Sequence, residues 1–347
     1  MRNPEERFSL LKELLDVPGI PGYEFRVKEF IESRLPGEIE TSTDSLGNFV
    51  VTVGEGDQAM LFVAHMDELG FVVSEVREDG FLKIKPLGGI DPRTVFGRSI
   101  RIVTEEGEIF GAAAVVPPHL MMNREKEMGT VPPITDLLID IGAQSKEEAD
   151  SLGVKILDFA VIEKTFHILN GKFLCARALD DRLGCFILLE ALDKLKSKKL
   201  NWKIHFGFSV QEEVGLRGAE LLGNRLELDM AFAVDSASAA DFPETRKDLA
   251  PGRMGKGPAF RVLDNRAIVP PAFTKELVMV AEKAGIPHQV IFTGGGTDIG
   301  AIQSKGARVM PIAFPVRYTH SAVETVHIHD VESTIELICA IVKHYAG

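Results

Sequence analysis

The chain has 347 residues, of which 45% are hydrophobic and 26% are charged, and its formal net charge is -12 at pH 7. This length predicts a large domain with a smaller one, and the negative charge argues against nucleic acid or an anionic membrane as a partner. No run approaches the roughly 20 apolar residues that a membrane-spanning helix requires.

The first 70 residues alternate between helix and strand. Apolar spacing predicts helices over residues 5–17 and 25–35, separated by the turn GIPGYE. Two strands follow in GNFVVTVGEG and QAMLFVAH, and the second is apolar enough to be buried on both faces. This part of the sequence is therefore typical of an α/β domain.

Between residues 71 and 172 the pattern changes to short β-like runs separated by Gly and Pro. The runs are FVVSEV, FLKIKPL, SIRIVT, IFGAAAVV, LLIDIGA and KILDFAVI. Such spacing is typical of a small β-barrel or sandwich. SKEEADSLGV is the single helix predicted inside this region.

From residue 173 the α/β alternation returns, with strands such as WKIHFGFSV and DMAFAVD between predicted helices. The simplest architecture is a mixed-sheet α/β/α sandwich of residues 1–70 and 173–347, interrupted by an inserted small β-barrel domain of residues 71–172. Ligands of open α/β sheets bind at the carboxyl ends of the strands, so residues just after strands are the functional candidates.

Acidic and histidine side chains follow five of these strand or loop ends. They are His65 and Asp67 in LFVAHMDELG, Asp180 and Asp181 in CARALDDRLG, Glu212 and Glu213 in SVQEEVG, Asp235 in AFAVDSA, and His320 in PVRYTHSAVE. Each one alone has a structural explanation, such as a helix N-cap for Asp181. Together they would repel each other at one sheet edge unless a cation lay among them.

Two histidines with several carboxylates, and no cysteine beside them, suit zinc, cobalt or manganese better than a structural cysteine-zinc site. The set is large enough for two ions, which a shared carboxylate would bridge at roughly 3.5–4 Å. One glutamate of the adjacent pair would then bind metal, and the other would move protons during hydrolysis.

The motifs HMDELGFVV, ALDDRLGC, QEEVGLRGA, GGGTDIGAI and RYTHSAVE, in this order, resemble those of the dinuclear-metal aminopeptidases related to glutamyl aminopeptidase and deblocking aminopeptidase. The resemblance runs from near residue 5 to near residue 345. Members of this family form tetrahedral dodecamers, and some relatives carry the label cellulase or endoglucanase. Gln303, where the family pattern has His, is a small departure.

The resemblance implies a role for each candidate. The implied ligands are His65, Asp180 and Asp235 for one metal, and Asp180, Glu213 and His320 for the other, with Asp180 bridging. Glu212 would be the general base, and Asp67 would orient His65. The peptide bond between Asp180 and Asp181 would be cis. Arg182, Arg317 and Tyr318 flank these residues and either bind substrate or brace the site.

The leading hypothesis is a metal-dependent aminopeptidase acting on short peptides, with two divalent ions per subunit, zinc being favoured over cobalt. The alternative is a metal-dependent deacylase or carboxypeptidase-like amidohydrolase, with Arg182 or Arg317 as the clamp for a substrate carboxylate. An endoglucanase is disfavoured, because glycosidases stack sugars on aromatic rings and the sequence has one Trp and three Tyr. A scaffold with structural metals would have no use for an unligated carboxylate such as Glu212.

The three cysteines, Cys175, Cys185 and Cys339, are odd in number and widely spaced, which predicts thiols in a reducing cytoplasm. The resemblance implies a homododecamer with inward-facing sites and assigns oligomerisation and substrate access to the insertion. The preferred N-terminal residue is not predictable from the sequence, because loops build the pocket that selects it.

Overall fold

The computed structural model describes residues 4–37 and 39–347. In these residues the helices are α1 (Pro4–Asp16), α2 (Phe25–Ser33), α3 (Arg124–Met128), α4 (Lys146–Ser151), α5 (Leu179–Leu195), α6 (Arg217–Arg225), α7 (Pro271–Lys283), α8 (Ile299–Ile302) and α9 (Ile328–Ala346). The strands are β1 (Glu40–Thr43), β2 (Phe49–Val53), β3 (Ala59–His65), β4 (Gly70–Val76), β5 (Leu82–Leu87), β6 (Ser99–Val103), β7 (Glu108–Ala113), β8 (Leu138–Asp140), β9 (Phe159–Ile162), β10 (Phe166–Leu169), β11 (Phe173–Ala176), β12 (Lys203–Ser209), β13 (Met230–Ser238), β14 (Ala259–Leu263), β15 (Gln289–Phe292), β16 (Arg308–Val309), β17 (Ile312–Arg317) and β18 (Glu324–His327).

Four parallel strands, β12, β3, β13 and β17, form the centre of the large sheet. Antiparallel strands extend it on both sides, β2 and β1 next to β12, and β18, β11 and β10 next to β17. Because parallel strands point the same way, the carboxyl ends of these four central strands lie at one edge of the sheet. That edge carries the functional candidates.

Helices cover both faces of the large sheet, and the alternation of side chains along β3 shows how. Phe62 packs with the helical layer of α1, α5, α7 and α9, while its neighbours Leu61 and Val63 pack with α6 and α8. Phe62 also stacks on Phe232 of β13 with ring centroids 4.9 Å apart. Full burial of each such apolar side chain stabilises the fold by about 1.5–3 kcal/mol. A strand apolar at every position is therefore required between two helical layers.

The strands between β3 and β10 close into a barrel in the order β4-β5-β8-β7-β6-β9, antiparallel throughout. Its interior is filled by buried apolar side chains that include Phe71, Ile84, Ile100 and Ile139. The predicted fold class, a mixed-sheet α/β/α sandwich with an inserted β-barrel, is thus confirmed. Strand β10 lies in the region 71–172 but pairs with β11, so it belongs to the large sheet and not to the barrel.

The prediction of one helix inside the barrel region was wrong, because α3 is a second one. Asn123 caps it by accepting a hydrogen bond from the N–H of Lys126 at 3.2 Å. Residues of α3 are exposed on all sides, so the helix has no apolar stripe from which it could have been predicted. In the described ranges, no helix has both the length and the apolar character needed to cross a membrane.

Candidate active site

His65 closes β3, and its side chain is buried at the carboxyl edge of the sheet. Its Nε2 atom lies 3.2 Å from Oδ1 of Asp180, and its Nδ1 atom lies 3.0 Å from the main-chain carbonyl oxygen of Asp67. The Asp67 carboxylate is 3.6 Å from the same nitrogen. The contact expected between these two residues is therefore made mainly through the carbonyl group, since only that distance is within hydrogen-bond range.

The adjacent glutamates lie in a turn between β12 and α6. The carboxylate of Asp67 accepts hydrogen bonds from the backbone N–H groups of Glu212 and Glu213, each at 3.1 Å. Gln211, which precedes them, has a φ of 56°, a left-handed value that is uncommon for a residue with a side chain. The turn places both glutamates in the wall of one cavity.

Helix α5 begins irregularly, because Asp180 and Asp181 have non-helical backbone angles and the peptide bond between them is cis, as the resemblance implied. Asp180 lines the cavity, and its Oδ2 atom accepts a hydrogen bond from Ser236 Oγ at 2.9 Å. Asp181 is fully buried and accepts hydrogen bonds from the N–H groups of Gly184, at 3.2 Å, and His65, at 3.1 Å. Asp181 thus has the capping role expected for it.

His320 follows β17 and receives support from the barrel. Its Nδ1 atom lies 3.2 Å from the carbonyl oxygen of Gly89, in the loop after β5. Its Nε2 atom lies 3.6 Å from Oδ2 of Asp180 and 3.6 Å from Oε2 of Glu213. The contact with Gly89 was not predicted, because the two residues are 231 positions apart in the chain.

Two sets of three side chains in the described residues place possible ligand atoms within 4.8 Å of one another. They are His65, Asp180 and Asp235, and Asp180, Glu213 and His320. Asp180 belongs to both sets. The buried Oε1 atom of Glu213 has no hydrogen-bond partner among the described groups, and a buried oxygen of this kind fits a metal ligand. The donor set, histidine nitrogens with carboxylate oxygens, suits a divalent transition metal.

The electrostatics of the cavity also favour a cation. Burial and, next, the nearby carboxylate of Asp180 raise the pKa of Asp235 to about 7. Burial is also the main cause that holds the pKa values of Glu212 and Glu213 well above their usual range. Buried carboxylates held this close together are stabilised in their charged form when a positive ion lies among them.

Glu324, on β18, is a candidate that the sequence analysis missed. Its carboxylate is buried and accepts hydrogen bonds from the backbone N–H groups of Asp180, at 3.1 Å, and His320, at 2.9 Å. Burial and, next, the Asp180 carboxylate raise the pKa of Glu324 to about 8. This side chain therefore connects the start of α5, which carries Asp180, to the segment after β17, which carries His320. The motif RYTHSAVE contains it, but spacing alone does not show a contact with Asp180.

Two of the flanking residues brace the site. Arg182 is fully buried and donates hydrogen bonds to the main-chain carbonyl groups of Leu14, Val17, Gly19 and Met66. Arg317 donates to the carboxylate of Asp241 at 2.6 Å. Tyr318 is 45% exposed, and its ring lies 5.1 Å from that of Phe242. Of the two roles that the sequence left open, Arg182 and Arg317 therefore have the structural one.

Six of the candidates line a cavity of about 530 Å³, a size typical of small-molecule sites: His65, Asp180, Glu212, Glu213, Asp235 and His320. The glycine-rich loop 293–296 and Arg261 also line this cavity. Arg261 is buried, its Nε atom lies 3.1 Å from Oδ2 of Asp264, and its Nη2 atom donates to the carbonyl oxygen of Gly294 at 2.8 Å. No Trp, Tyr or Phe side chain of the described chain lines this cavity, so it lacks the surface on which glycosidases stack sugars.

Comparison with known proteins agrees with this geometry. The family model for peptidase M42, described as M42 glutamyl aminopeptidase, matches residues 47–337. The lysyl aminopeptidase of Pyrococcus furiosus is 31% identical, over 97% of this chain and 96% of that protein. The glutamyl aminopeptidase of Lactococcus lactis subsp. cremoris is 33% identical, over 94% of this chain and 92% of that protein.

Among solved structures, the TET1 peptidase of Pyrococcus horikoshii superposes with a TM-score of 0.90 and 42% identity. The match covers 97% of this chain and 99% of that one, so it includes the barrel as well as the large sheet. That peptidase is described as able to assemble into a tetrahedron or a large octahedral shell. On the family match and on these relatives, the chain belongs to the peptidase M42 family of aminopeptidases and is a peptide hydrolase.

Proposed function

We propose that this aminopeptidase uses two divalent cations to remove the N-terminal residue from short peptides, with Glu212 as the general base. The observation that carries the proposal is the pair of candidate ligand sets that share Asp180 at the carboxyl edge of the sheet. Zinc is the favoured metal and cobalt the second, since both accept histidine and carboxylate ligands.

The ligand assignment follows the two sets. His65, Asp180 and Asp235 would hold one cation, and Asp180, Glu213 and His320 the other. When bound, the two cations would activate a water molecule and polarise the scissile carbonyl group. The chain keeps the ligand side chains in place through hydrogen bonds to their other atoms, such as the carbonyl group of Gly89 at His320.

Glu212 fits the proton-transfer role because it lines the cavity next to Glu213 and belongs to neither ligand set. A carboxylate oxygen of Glu212 would take a proton from the attacking water and return it to the nitrogen of the leaving amine. The carboxylate of Asp67, which holds the N–H groups of both glutamates, would keep Glu212 in place for this transfer. A structural metal site would not need such a group.

The carboxylate-rich cavity also favours the free α-ammonium group of a peptide over an acylated terminus. The deacylase alternative needs a cationic clamp, and both arginines considered for it are engaged elsewhere. Arg182 binds main-chain carbonyl groups and Arg317 binds Asp241. Neither of these two arginines lines the cavity, so neither supports that alternative.

We assign residues 1–70 and 173–347 to catalysis, and the inserted region 71–172 to oligomerisation and substrate access, in a tetrahedral homododecamer. The assembly described for the TET1 peptidase supports this assignment. Large apolar side chains exposed on the inserted region support it too, and a second subunit would cover them: Phe110, Val115, Val116, Leu120, Met122, Met128 and Val131. The contact between the carbonyl oxygen of Gly89, in the loop after β5, and His320 is consistent with an inserted domain that lies next to the site.

We expect N-terminal acidic residues to be cleaved faster than basic ones. Apart from the proposed ligands and Glu212, Arg261 is the only charged side chain in the described lining of the cavity, and it is cationic. A charge-assisted hydrogen bond is worth roughly 1.5–3 kcal/mol, so Arg261→Met should lower the preference for Glu over Leu at least about tenfold in kcat/KM.

The measurement is kcat/KM for Glu-, Leu- and Lys-p-nitroanilide with the wild type, Arg261→Met and, as a control, Arg225→Met. Arg225 is exposed on α6, so its replacement should leave the ratio unchanged. Faster cleavage of the Lys substrate than of the Glu substrate would refute the preference. Absence of activity on every free-amine substrate would refute the proposed function itself.

A further inference from the structure

Glu24 lies at the start of α2, far from the cavity in sequence but next to the catalytic turn in space. Its side chain is 4% exposed. Its Oε1 atom accepts hydrogen bonds from the N–H of Gly22, at 2.9 Å, and from the N–H of Gln211, also at 2.9 Å. The second contact spans 187 positions of the chain and reaches the residue directly before Glu212.

Two buried carboxylates therefore hold three successive backbone N–H groups. Glu24 holds that of Gln211, and Asp67 holds those of Glu212 and Glu213. The held segment begins at Gln211, whose φ of 56° is costly for a residue with a Cβ atom. A residue keeps such a conformation only when its surroundings enforce it, and the hydrogen bond from Glu24 is one such restraint.

The segment that carries Glu24 is itself fixed by the barrel. The hydroxyl of Tyr23 donates to the carbonyl group of Leu157 at 2.9 Å, and its ring lies 5.0 Å from that of Phe159. Arg26 pairs with Glu108 of β7 at 2.9 Å. Glu24 is thus anchored on one side by the barrel and bound on the other side to the catalytic turn, which allows it to fix the position of that turn.

We propose that Glu24 is a positioning residue for the reaction, which sets the conformation of the turn and so the reach of the Glu212 carboxylate. The proposal rests on the role of Glu212 proposed above. Glu24 touches neither substrate nor any proposed ligand, so its replacement should lower kcat and leave KM and metal content near their wild-type values. Displacement of a catalytic group by about 1 Å costs up to roughly a hundredfold in rate, which sets the scale of the expected loss.

The test compares Glu24→Ala, Glu24→Asp and Glu24→Gln in the full chain, with Glu29→Ala as the matched control. Glu29 lies on the same helix but is exposed. We expect kcat to fall about tenfold to a hundredfold for Ala and Asp, which cannot reach Gln211, and by less than about threefold for Gln, whose amide oxygen still accepts the hydrogen bond. Glu29→Ala should behave like the wild type.

Hydrogen exchange of the peptide that contains residues 210–214 provides a readout that does not need activity. Exchange should be faster in Glu24→Ala and unchanged in Glu24→Gln. Wild-type kcat in Glu24→Ala, or equal losses in the Gln and Ala variants, would overturn the proposal. If a Glu24 variant did not fold, or if its melting temperature and kcat fell together, Glu24 would have a role in stability only, and the proposal would be overturned as well. If the wild type itself cleaves no aminoacyl substrate, the proposed function fails, while the exchange experiment still tests the positioning.

Discussion

Replacement of Glu212 by Gln should lower kcat by roughly 10²–10⁴-fold, the usual contribution of a positioned general base. The amide has nearly the shape of the carboxylate but cannot take the proton from the attacking water. Glu212 lies in neither candidate ligand set, so bound metal and the melting temperature should not change. Its backbone N–H remains bound to Asp67, so the turn should keep its conformation.

Glu220→Gln is the matched control, because Glu220 is exposed on α6, only eight positions away. It should retain wild-type kcat with Leu- or Glu-p-nitroanilide as substrate. The metal content of both variants should be measured by mass spectrometry, so that a loss of activity is not confused with a loss of ions. Hydrolysis at the wild-type rate by Glu212→Gln would contradict the proposed mechanism.

The second large effect is expected for Asp180, the residue shared by both ligand sets. Asp180→Asn removes the charge that lies between the two proposed ions and should abolish binding of both. Since such ions contribute several kcal/mol of transition-state stabilisation, kcat/KM should fall at least roughly 10³-fold. Asp235→Asn and His320→Ala each disturb one set only and should reduce bound metal from two ions per chain to one.

Metal stoichiometry of these three variants, measured after dialysis against zinc, distinguishes a shared ligand from independent sites. Asp150→Asn is the control, because Asp150 is exposed on α4 of the inserted region. It should bind as much metal as the wild type. If Asp180→Asn lost one ion and kept the other with unchanged affinity, the bridging role would be excluded.

The central sheet and the position of the site were predictable because their physical signals are local. QAMLFVAH and DMAFAVD are apolar at nearly every position, as strands between two helical layers must be. His65 is the last residue of β3, and Asp235 lies inside β13, which continues to Ser238 instead of ending at the candidate. The short strands β11 and β18 were not predicted, since four residues are too few to establish a period. All four residues of β1 are exposed, so its sequence has no apolar pattern, and the strand forms because it pairs with β2.

The supporting contacts of the site were not predictable, because each joins residues distant in the chain. Glu324 binds the N–H of Asp180, Glu24 binds the N–H of Gln211, and Gly89 accepts from His320. A sequence shows which side chains have metal-binding chemistry, but the backbone groups that hold them become apparent only once the sheet and barrel are assembled. Arg182 illustrates the difference, since its position beside the ligands favoured neither role until its bonds to main-chain carbonyl groups were seen.

The most direct test of the proposed two-metal aminopeptidase is a zinc titration of chain stripped with EDTA, followed by hydrolysis of Glu- and Leu-p-nitroanilide in the same samples. We predict that the stripped chain is inactive and that full activity returns only when about two equivalents of zinc are bound per chain, as two ligand sets require. Full activity in the stripped chain, or saturation of both binding and activity at one equivalent, would contradict the account.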